Sequence, residues 1–181
     1  YDQYTRRALS LSHLLCTDPD NAYPQDFSII VGDGANYTRR RATITPTANF
    51  NGDLTVPVRV YDGSGAGNSL SQSVNLTVTV DPVNDKPQVV SPIGNRQTRE
   101  DEAFNLNVAS NFRDIENDTL TFTATGQPGS ISISSDGRFS GTPTNDDVGQ
   151  YTVVVRAADP SQAFVTSSFR RTIVNVNDQP Q

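Results

Sequence analysis

The sequence predicts an all-β protein composed of two tandem β-sandwich domains. Its 181 residues suit two domains of about 90 residues each. The chain is rich in Asp, Asn, Ser, Thr and Val, which form helices poorly and favour strands or turns. An internal repeat and an alternation of apolar residues then divide this β-structure into two similar halves.

The repeat is visible in three sequence landmarks that recur in the same order and at nearly constant spacing. They are Val-Asn-Asp-x-Pro at 83–87 and 176–180, Thr-Pro-Thr at 45–47 and 142–144, and Val-Arg-x-x-Asp at 58–62 and 155–159. Such self-similarity indicates two copies of one structural unit. We therefore place repeat 1 at residues 1–86 and repeat 2 at residues 87–181.

Within each copy, apolar residues alternate with polar ones, which predicts strands with one buried and one wet face. Dipeptides such as Asp33-Gly34, Asn51-Gly52 and Asp136-Gly137 predict the turns between them. Short strands at this spacing favour a sandwich. The alternating apolar positions are Val56, Val58 and Val60; Val74, Leu76, Val78 and Val80; Phe104, Leu106 and Val108; Leu120, Phe122 and Ala124; and Tyr151, Val153, Val155 and Ala157.

Two groups of arginines interrupt this regular pattern. Arg171 falls where repeat 1 has Val78, so an edge position, a bulge or a snorkelling side chain is needed to accommodate it. Arg39-Arg40-Arg41 is a short basic run. Such a run is ordinarily a solvated strand end, although it could also contact an acidic polysaccharide.

Composition excludes several classes of function. The net charge of −6 argues against a nucleic-acid partner, and no apolar stretch is long enough to insert into a membrane. His13 is the only histidine and Cys16 the only cysteine, which provides neither a catalytic triad nor a zinc site. We therefore expect a non-enzymatic fragment of a longer protein.

Acidic and amide residues gather in the connection between the copies and in the loops that follow it. Such residues supply the oxygen ligands that Ca²⁺ prefers. A single Asp in a loop is ordinarily only a turn residue, but recurrence at matched positions favours a metal site. The residues are Asp81, Asn84 and Asp85 in the connection, Asp114, Glu116 and Asp118 after it, and Asp159 at a strand end.

These motifs resemble cadherin-type repeats. Repeat 2 is most similar to bacterial and dystroglycan-type cadherin-like domains, through Phe112-Arg-Asp-Ile-Glu-Asn-Asp-Thr-Leu120, Asp136-Gly-Arg-Phe-Ser-Gly-Thr-Pro143 and Ala157-Ala-Asp159. Repeat 1 resembles the tandem repeats of large bacterial surface proteins, through Asp18-Pro-Asp-Asn21 and Asn49-Phe-Asn-Gly52. The resemblance implies Ig-like or cadherin-like Greek-key sandwiches that bind Ca²⁺ at their junctions.

Carried over by position, the resemblance implies a central metal site built mainly from repeat 2. Its ligands would be Asp114, Glu116 and Asp159, together with Asn84, Asp85 and the carbonyl of Lys86, near Asp81. In repeat 1 the positions of the family's remaining acids hold Thr5 and Asn49. We therefore expect one firmly bound ion at this junction, not two or three.

The same resemblance implies two incomplete sites at the outer ends of the pair. One would face a following domain and the other a preceding domain, and both should bind weakly because they hold too few charged oxygens. Their residues are Glu100, Asp146, Asn177 and Asp178 in the first, and Asp18, Asp20 and Asp62 in the second.

The function that this resemblance implies is that of a calcium-binding module in a large secreted or cell-surface bacterial protein. It would serve adhesion, association with other proteins or rigid spacing, and its partners would be neighbouring repeats of its own chain or like modules on other chains. An alternative is polysaccharide binding, which a row of exposed tyrosines would favour because the chain has no Trp.

Overall fold

The structure is a computed structural model that describes residues 6–10, 12, 14, 27–63 and 69–177. By its internal contacts the chain divides into two compact units, which we call unit 1 (Tyr1–Val83) and unit 2 (Asn84–Gln181). Residues 84–86 thus belong to unit 2 in this division. The domain bounds 1–86 and 87–181 stay a prediction.

The described residues of unit 1 form two three-stranded antiparallel sheets. One has the order β1-β4-β3 and the other the order β2-β5-β6. Its strands are β1 (Arg7–Ala8), β2 (Ser28–Val31), β3 (Tyr37–Arg40), β4 (Thr43–Pro46), β5 (Gly52–Tyr61) and β6 (Val74–Val80).

The core of unit 1 is formed by apolar residues that both sheets contribute. Ile44 of β4 is fully buried, as are Leu54, Val56 and Val58 of β5. Tyr37 is buried with them, and its hydroxyl donates a hydrogen bond to the carbonyl oxygen of Gly32 at 2.8 Å. That bond satisfies the polar end of a core side chain, as a buried tyrosine requires.

Unit 2 contains a four-stranded sheet, a three-stranded sheet and a short two-stranded pair. Their orders are β11-β14-β15-β8, β12-β13-β9 and β10-β7. The strands are β7 (Gln88–Val89), β8 (Arg96–Arg99), β9 (Phe104–Asn107), β10 (Phe112–Arg113), β11 (Thr121–Thr125), β12 (Ile131–Ile133), β13 (Arg138–Gly141), β14 (Gly149–Ala158) and β15 (Phe164–Val174).

Phenylalanines join the two larger sheets of unit 2. Phe139 of β13 meets Phe169 of β15 edge to face, with their ring centroids 6.0 Å apart. Phe112 of β10 and Phe122 of β11 form a second edge-to-face pair at 5.5 Å, which joins the two-stranded pair to the four-stranded sheet. Edge-to-face pairs add about 0.5–1.5 kcal/mol to the gain from burying the rings. These contacts make the core of a sandwich.

The predicted all-β, cadherin-like or Ig-like fold class is confirmed. The alternating residues of β5 and β14 point inward as expected, with Val56, Val58, Val153 and Val155 all buried. Unit 2 contains two short 3-10 turns, Ala109–Asn111 and Asn145–Asp147. No helix among the described residues is long and apolar enough to cross a membrane.

Glycine is required at two positions of unit 2, one directly after β11 and one at the end of β13. Gly126 has a φ of +81° and Gly141 a φ of +145°, a region that side chains rarely adopt. A Cβ atom would also collide with the backbone, with the carbonyl oxygen of Thr152 at Gly126 and that of Ser130 at Gly141. At both positions the absence of a Cβ atom lets a neighbouring backbone segment come close.

The structure shows how the sandwich accommodates Arg171. This residue lies in β15, which pairs with β14 on one side and with β8 on the other, so it is not at an edge. It does not snorkel to solvent, since only 1% of it is exposed. Its guanidinium carbon lies 3.6 Å from the ring centroid of Phe104, and its Nε and Nη2 atoms have no hydrogen-bond partner.

Arg171 is therefore a buried cation held mainly by an aromatic face. Burial lowers the pKa of Arg171, and the negative charge of Asp147 partly offsets that shift. A cation over a ring is worth up to about 2 kcal/mol when desolvated. Burying an ion costs several kcal/mol, so the stacking does not fully compensate the guanidinium.

We predict that Arg171→Met increases the free energy of unfolding by about 1–2 kcal/mol, because an apolar side chain of similar length removes the desolvation cost. Chemical denaturation monitored by circular dichroism measures this. The matched control is Arg170→Met, whose side chain is exposed and should change stability by less than about 0.5 kcal/mol. A clear loss of stability in Arg171→Met would show that the stacked cation stabilises the fold.

Candidate metal centre

Two pairings place the predicted ligands at one end of unit 2. In the β7–β10 ladder, Arg113 pairs with Gln88, so Asp114 directly follows the strand that runs beside the start of the unit. In the β11–β14 ladder, Thr121 pairs with Ala158, so Asp159 leaves the sheet where β11 begins. We call Asn84, Asp85, Asp114, Glu116 and Asp159 the acidic cluster.

Asp114 is a buried acid of the cluster whose carboxylate is held at only one oxygen. Only 3% of the residue is exposed. Its Oδ1 atom accepts hydrogen bonds from the backbone N–H of Glu116 at 3.0 Å and of Asp118 at 3.3 Å. Its Oδ2 atom is buried and has no partner. The loop thus fixes one oxygen of the carboxylate and leaves the other unsatisfied.

Asp159 is fully buried and is held by its own loop and by Asn84. Its Oδ1 atom accepts the backbone N–H of Ala163 at 3.0 Å, while the N–H of Asp159 donates to the carbonyl oxygen of Ala163 at 3.0 Å. Its Oδ2 atom accepts the side-chain amide of Asn84 at 2.8 Å. This last bond joins residues 75 positions apart and anchors the first residue of unit 2.

Asp85 and Glu116 complete the cluster at its exposed side. The backbone N–H of Asp85 approaches Glu116 Oε2 at 3.4 Å, a long hydrogen bond. Desolvation raises the pKa of Glu116, and the negative charges of Asp114 and Asp85 add to the rise. Backbone N–H groups of Glu116 and Asp85 lower it in part.

Three acids of the cluster carry negative charge without an ion pair among the described residues. Neither Asp114, Glu116 nor Asp159 forms an ion pair with a lysine or arginine among the described residues. Across those residues, His, Cys, Asp and Glu side chains do not converge in groups of three or more that could hold a metal. A metal here would therefore need the amide oxygen of Asn84 and backbone oxygens as well.

The donor set nevertheless fits a hard cation. Every candidate ligand presents oxygen, and the buried, unpartnered Asp114 Oδ2 offers a charged oxygen that nothing in the fold satisfies. Lys86, expected to contribute its carbonyl, is exposed directly after Asp85. Asp81 lies in unit 1 and is exposed.

The opposite end of unit 2 holds a second buried acid. Glu100 is 1% exposed, and its N–H donates to the carbonyl oxygen of Val174 at 3.1 Å. Its Oε1 atom accepts the N–H of Val176, whereas its Oε2 atom is buried without a partner. Asp146 is exposed in the 3-10 turn Asn145–Asp147.

Two other residues predicted for the incomplete sites lie at or near the surface. Asn177 is exposed at the end of the described chain. Asp62 is half-buried in unit 1, and its N–H donates to the carbonyl oxygen of Ser69. Predictions for Thr5, His13, Cys16, Asp18, Asp20 and Asp178 lie outside the described residues.

The structure adds one residue that the sequence analysis did not select. Ala163 holds Asp159 through two hydrogen bonds, one to its carboxylate and one to its backbone. The sequence signal is the Asp-Pro start of the segment 159–163, which is typical of a turn. No motif identifies the alanine, because its contribution is made by the backbone alone.

The raised pKa of Glu116 predicts a pH dependence in metal-free buffer. A carboxyl whose folded pKa lies above its unfolded value stabilises the protein at low pH, and that contribution is lost as pH rises through the folded pKa. We therefore expect Glu116→Gln to abolish a small gain in stability, below about 1 kcal/mol for a solvent-screened group, on acidification from pH 7 towards pH 4.

The measurement is denaturation in EDTA across that pH range. Glu102→Gln is the matched control, because Glu102 is exposed outside the cluster. An identical pH profile for wild type and Glu116→Gln would contradict the prediction.

Comparison with known proteins identifies the fold of the chain. Residues 86–174 match the family model described as "Putative Ig domain". The search of curated proteins found no match. The matched segment is nearly the whole of unit 2, and it includes Asp114, Glu116 and Asp159.

Solved cadherin structures resemble the chain at low sequence identity. Repeats EC22-24 of mouse cadherin-23 align at 19% identity with a TM-score of 0.59, over 83% of this chain and 53% of that one. Repeats EC1-2 of human mucin-like protocadherin align at 14% identity with a TM-score of 0.52, over 90% and 92%.

An endo-fucoidan hydrolase of glycoside hydrolase family 107 aligns at 25% identity with a TM-score of 0.44, over 85% of this chain. The chain spans only 24% of that enzyme and about half of the cadherin-23 fragment. Together the comparisons give the chain a cadherin-like or Ig-like fold, with a family match confined to residues 86–174.

Proposed function

We propose that the protein is a calcium-binding, tandem cadherin-like module of a large secreted or cell-surface bacterial protein. It acts in adhesion or protein association and as a spacer that Ca²⁺ stiffens. The observation that carries this proposal is Asp114, a buried carboxylate with an unpartnered oxygen. It belongs to the same cluster as the fully buried Asp159.

The energetics favour a bound cation over an empty cluster. A buried charge without a partner costs several kcal/mol, and the pKa of the group shifts unless an opposite charge is present. Desolvation and the neighbouring acids Asp114 and Asp85 already raise the pKa of Glu116. A divalent cation would replace this repulsion with attraction and would satisfy Asp114 Oδ2.

The ligand chemistry favours Ca²⁺ over other biological metals. The cluster offers carboxylate, amide and backbone oxygens but no sulfur or imidazole, which excludes the donor sets that zinc and copper prefer. Ca²⁺ accepts six to eight oxygens in flexible geometry, whereas Mg²⁺ demands a near-ideal octahedron. A cluster made from a connection and two loops suits the more tolerant ion.

Stiffening would follow from where the ligands lie in the chain. Asn84 and Asp85 directly follow Val83, the last residue of unit 1. Asn84 already bonds to Asp159, 75 residues away. Binding of Asn84 and Asp85 to one ion would restrict the backbone dihedral angles of these two residues. The connection that follows unit 1 would then be stiffer than in the absence of the ion.

The setting we propose is extracellular. Cadherin-like and Ig-like folds are typical of surface proteins and of binding modules without catalytic activity, and the chain aligns with cadherin repeats over most of its length. Its partners would be neighbouring repeats and like modules on other chains. Sedimentation with and without Ca²⁺ would detect association between modules.

The tyrosines do not favour an aromatic sugar-binding platform. Tyr37 is buried, and Tyr151 is half-buried with its hydroxyl bonded to the carbonyl oxygen of Asp147 at 2.9 Å. Tyr61 is also half-buried. Among the residues that the structure describes, no exposed row of tyrosines is present. Polysaccharide binding by stacking therefore lacks a surface in that part of the chain.

We expect Ca²⁺ to raise the melting temperature of the chain relative to EDTA, and Mg²⁺ to raise it far less. At a free concentration of a hundred times Kd, one ion adds about 2.7 kcal/mol to the free energy of unfolding. Asp114→Asn should remove most of this gain, because it removes the charge but keeps the size of the side chain. Calorimetry should count one tight ion.

Two matched variants make the result specific. Glu100→Gln changes the buried acid at the opposite end of unit 2, and Glu102→Gln changes an exposed acid outside the cluster. Both should retain the calcium-induced gain. An equal gain with Mg²⁺, or a full gain in Asp114→Asn, would rule out the proposed site.

A further inference from the structure

A basic groove lies on the outer face of the β1-β4-β3 sheet in unit 1. Ile44 of β4 points into the core, so Thr43 and Thr45 on either side of it point outward. The register places Thr38 of β3 opposite Thr45, and Arg40 opposite Thr43. These residues, with Arg6 and Arg39, line a groove of about 400 Å³.

The groove carries two guanidinium groups that form no ion pair with the acidic side chains of the described residues. Arg39 is paired with Asp33, with its Nε atom 2.7 Å from Oδ1 and its Nη2 atom 3.1 Å from Oδ2. Arg6 and Arg40 are exposed, and no acidic side chain of the described residues pairs with either. The chain as a whole has a net charge of −6, so this concentration of cations is local.

Arg6 and Arg40 flank a strip of hydroxyl groups. Arg6 immediately precedes β1, and Arg40 ends β3, so β4 lies between them. Adjacent strands are about 4.8 Å apart and each residue rises about 3.4 Å. Arg6 lies beside Thr45 and Arg40 opposite Thr43, so their backbones are about 12 Å apart on the diagonal across β4. The hydroxyls of Thr38, Thr43 and Thr45 lie within this span and have no hydrogen-bond partner among the described residues.

Small side chains keep the strip open. Ala8 pairs with Thr43 across the β1–β4 ladder and contributes only a methyl group to the outer face. Among the described residues, no bulky apolar or aromatic side chain lines the groove. A ligand lying across β4 would therefore meet an arginine on either side of a floor of hydroxyl groups.

We propose that this groove binds an anionic polysaccharide. Guanidinium groups recognise the planar or tetrahedral oxygens of carboxylate and sulfate through paired hydrogen bonds. Threonine hydroxyls both donate and accept, which matches the hydroxyl groups of a sugar. An acidic polysaccharide carries acidic groups separated by neutral, hydroxyl-rich stretches. Its acidic groups would contact the arginines, and its hydroxyl groups would contact the threonines between them.

Other polyanions fit the groove less well. Single-stranded nucleic acid binds through aromatic side chains that stack with bases, and the described lining of the groove contains none. Duplex DNA requires many phosphate contacts, which Arg6 and Arg40 on a protein of net charge −6 do not supply. A membrane surface requires apolar residues beside the basic ones, and none is found among the described residues that line the groove.

The test measures binding of the 181-residue chain to immobilised heparin, a sulfated polymer, and to polygalacturonate, a carboxylated one. Dextran is the neutral control and a short DNA duplex is the competing polyanion. All measurements contain EDTA, so the outcome does not depend on the acidic cluster of unit 2. A failure here and a failure of calcium binding are thus separate results.

We expect one or both acidic polysaccharides to bind, dextran not to bind, and DNA to bind at least tenfold more weakly. The double variant Arg6→Gln and Arg40→Gln should weaken polysaccharide binding at least tenfold. Arg59→Gln with Arg170→Gln removes the same charge from exposed positions outside the groove and should change Kd less than twofold. Thr45→Val, which removes one hydroxyl without altering charge, should weaken binding about threefold.

Three results would overturn the proposal. The first is that neither acidic polysaccharide binds. The second is that DNA binds as tightly as the polysaccharides, which would show unselective attraction of polyanions. The third is that the control pair weakens binding as much as the groove pair, which would show that net charge and not the groove determines affinity.

Discussion

The cost of burying carboxylates is the constraint on which the organisation of unit 2 depends. Asp159 is fully buried and Asp114 nearly so, and both are held by backbone N–H groups of their own loops. Those bonds fix the orientation of the side chains but leave their charge uncompensated. Burying these carboxylates lowers the free energy of unfolding. A cation bound to them would raise it again and would order the loops that carry them.

Arg171 shows the same physics with the opposite sign of charge. It is buried between paired strands, and its compensation comes from the ring of Phe104 and the more distant charge of Asp147. The buried charges of unit 2 are thus held by strands or by hydrogen-bonded loops. The apolar layer joined by Phe139 and Phe169 supplies that rigidity, since its aromatic contacts hold the two larger sheets together.

Much of the fold could be predicted from the sequence because alternation of apolar residues encodes which face is buried, as Val56, Val58, Val153 and Val155 illustrate. The acidic residues could be found from their repeated motifs. Their bonding could not, because the Asn84–Asp159 contact spans 75 residues and depends on tertiary structure. The stacking of Arg171 on Phe104 could not be predicted for the same reason, because no sequence pattern pairs these two residues.

The parallel pairing of β8 with β15 has a mechanical consequence. β8 lies near the start of unit 2 and β15 near its end, and the two strands run side by side in the same direction. Tension applied through the two ends of the unit would slide these strands past each other, loading their hydrogen bonds together instead of opening them one by one. After the two-residue strand β7 had detached, the β8–β15 hydrogen bonds would bear the load in shear. Single-molecule pulling would record their rupture as one high force peak.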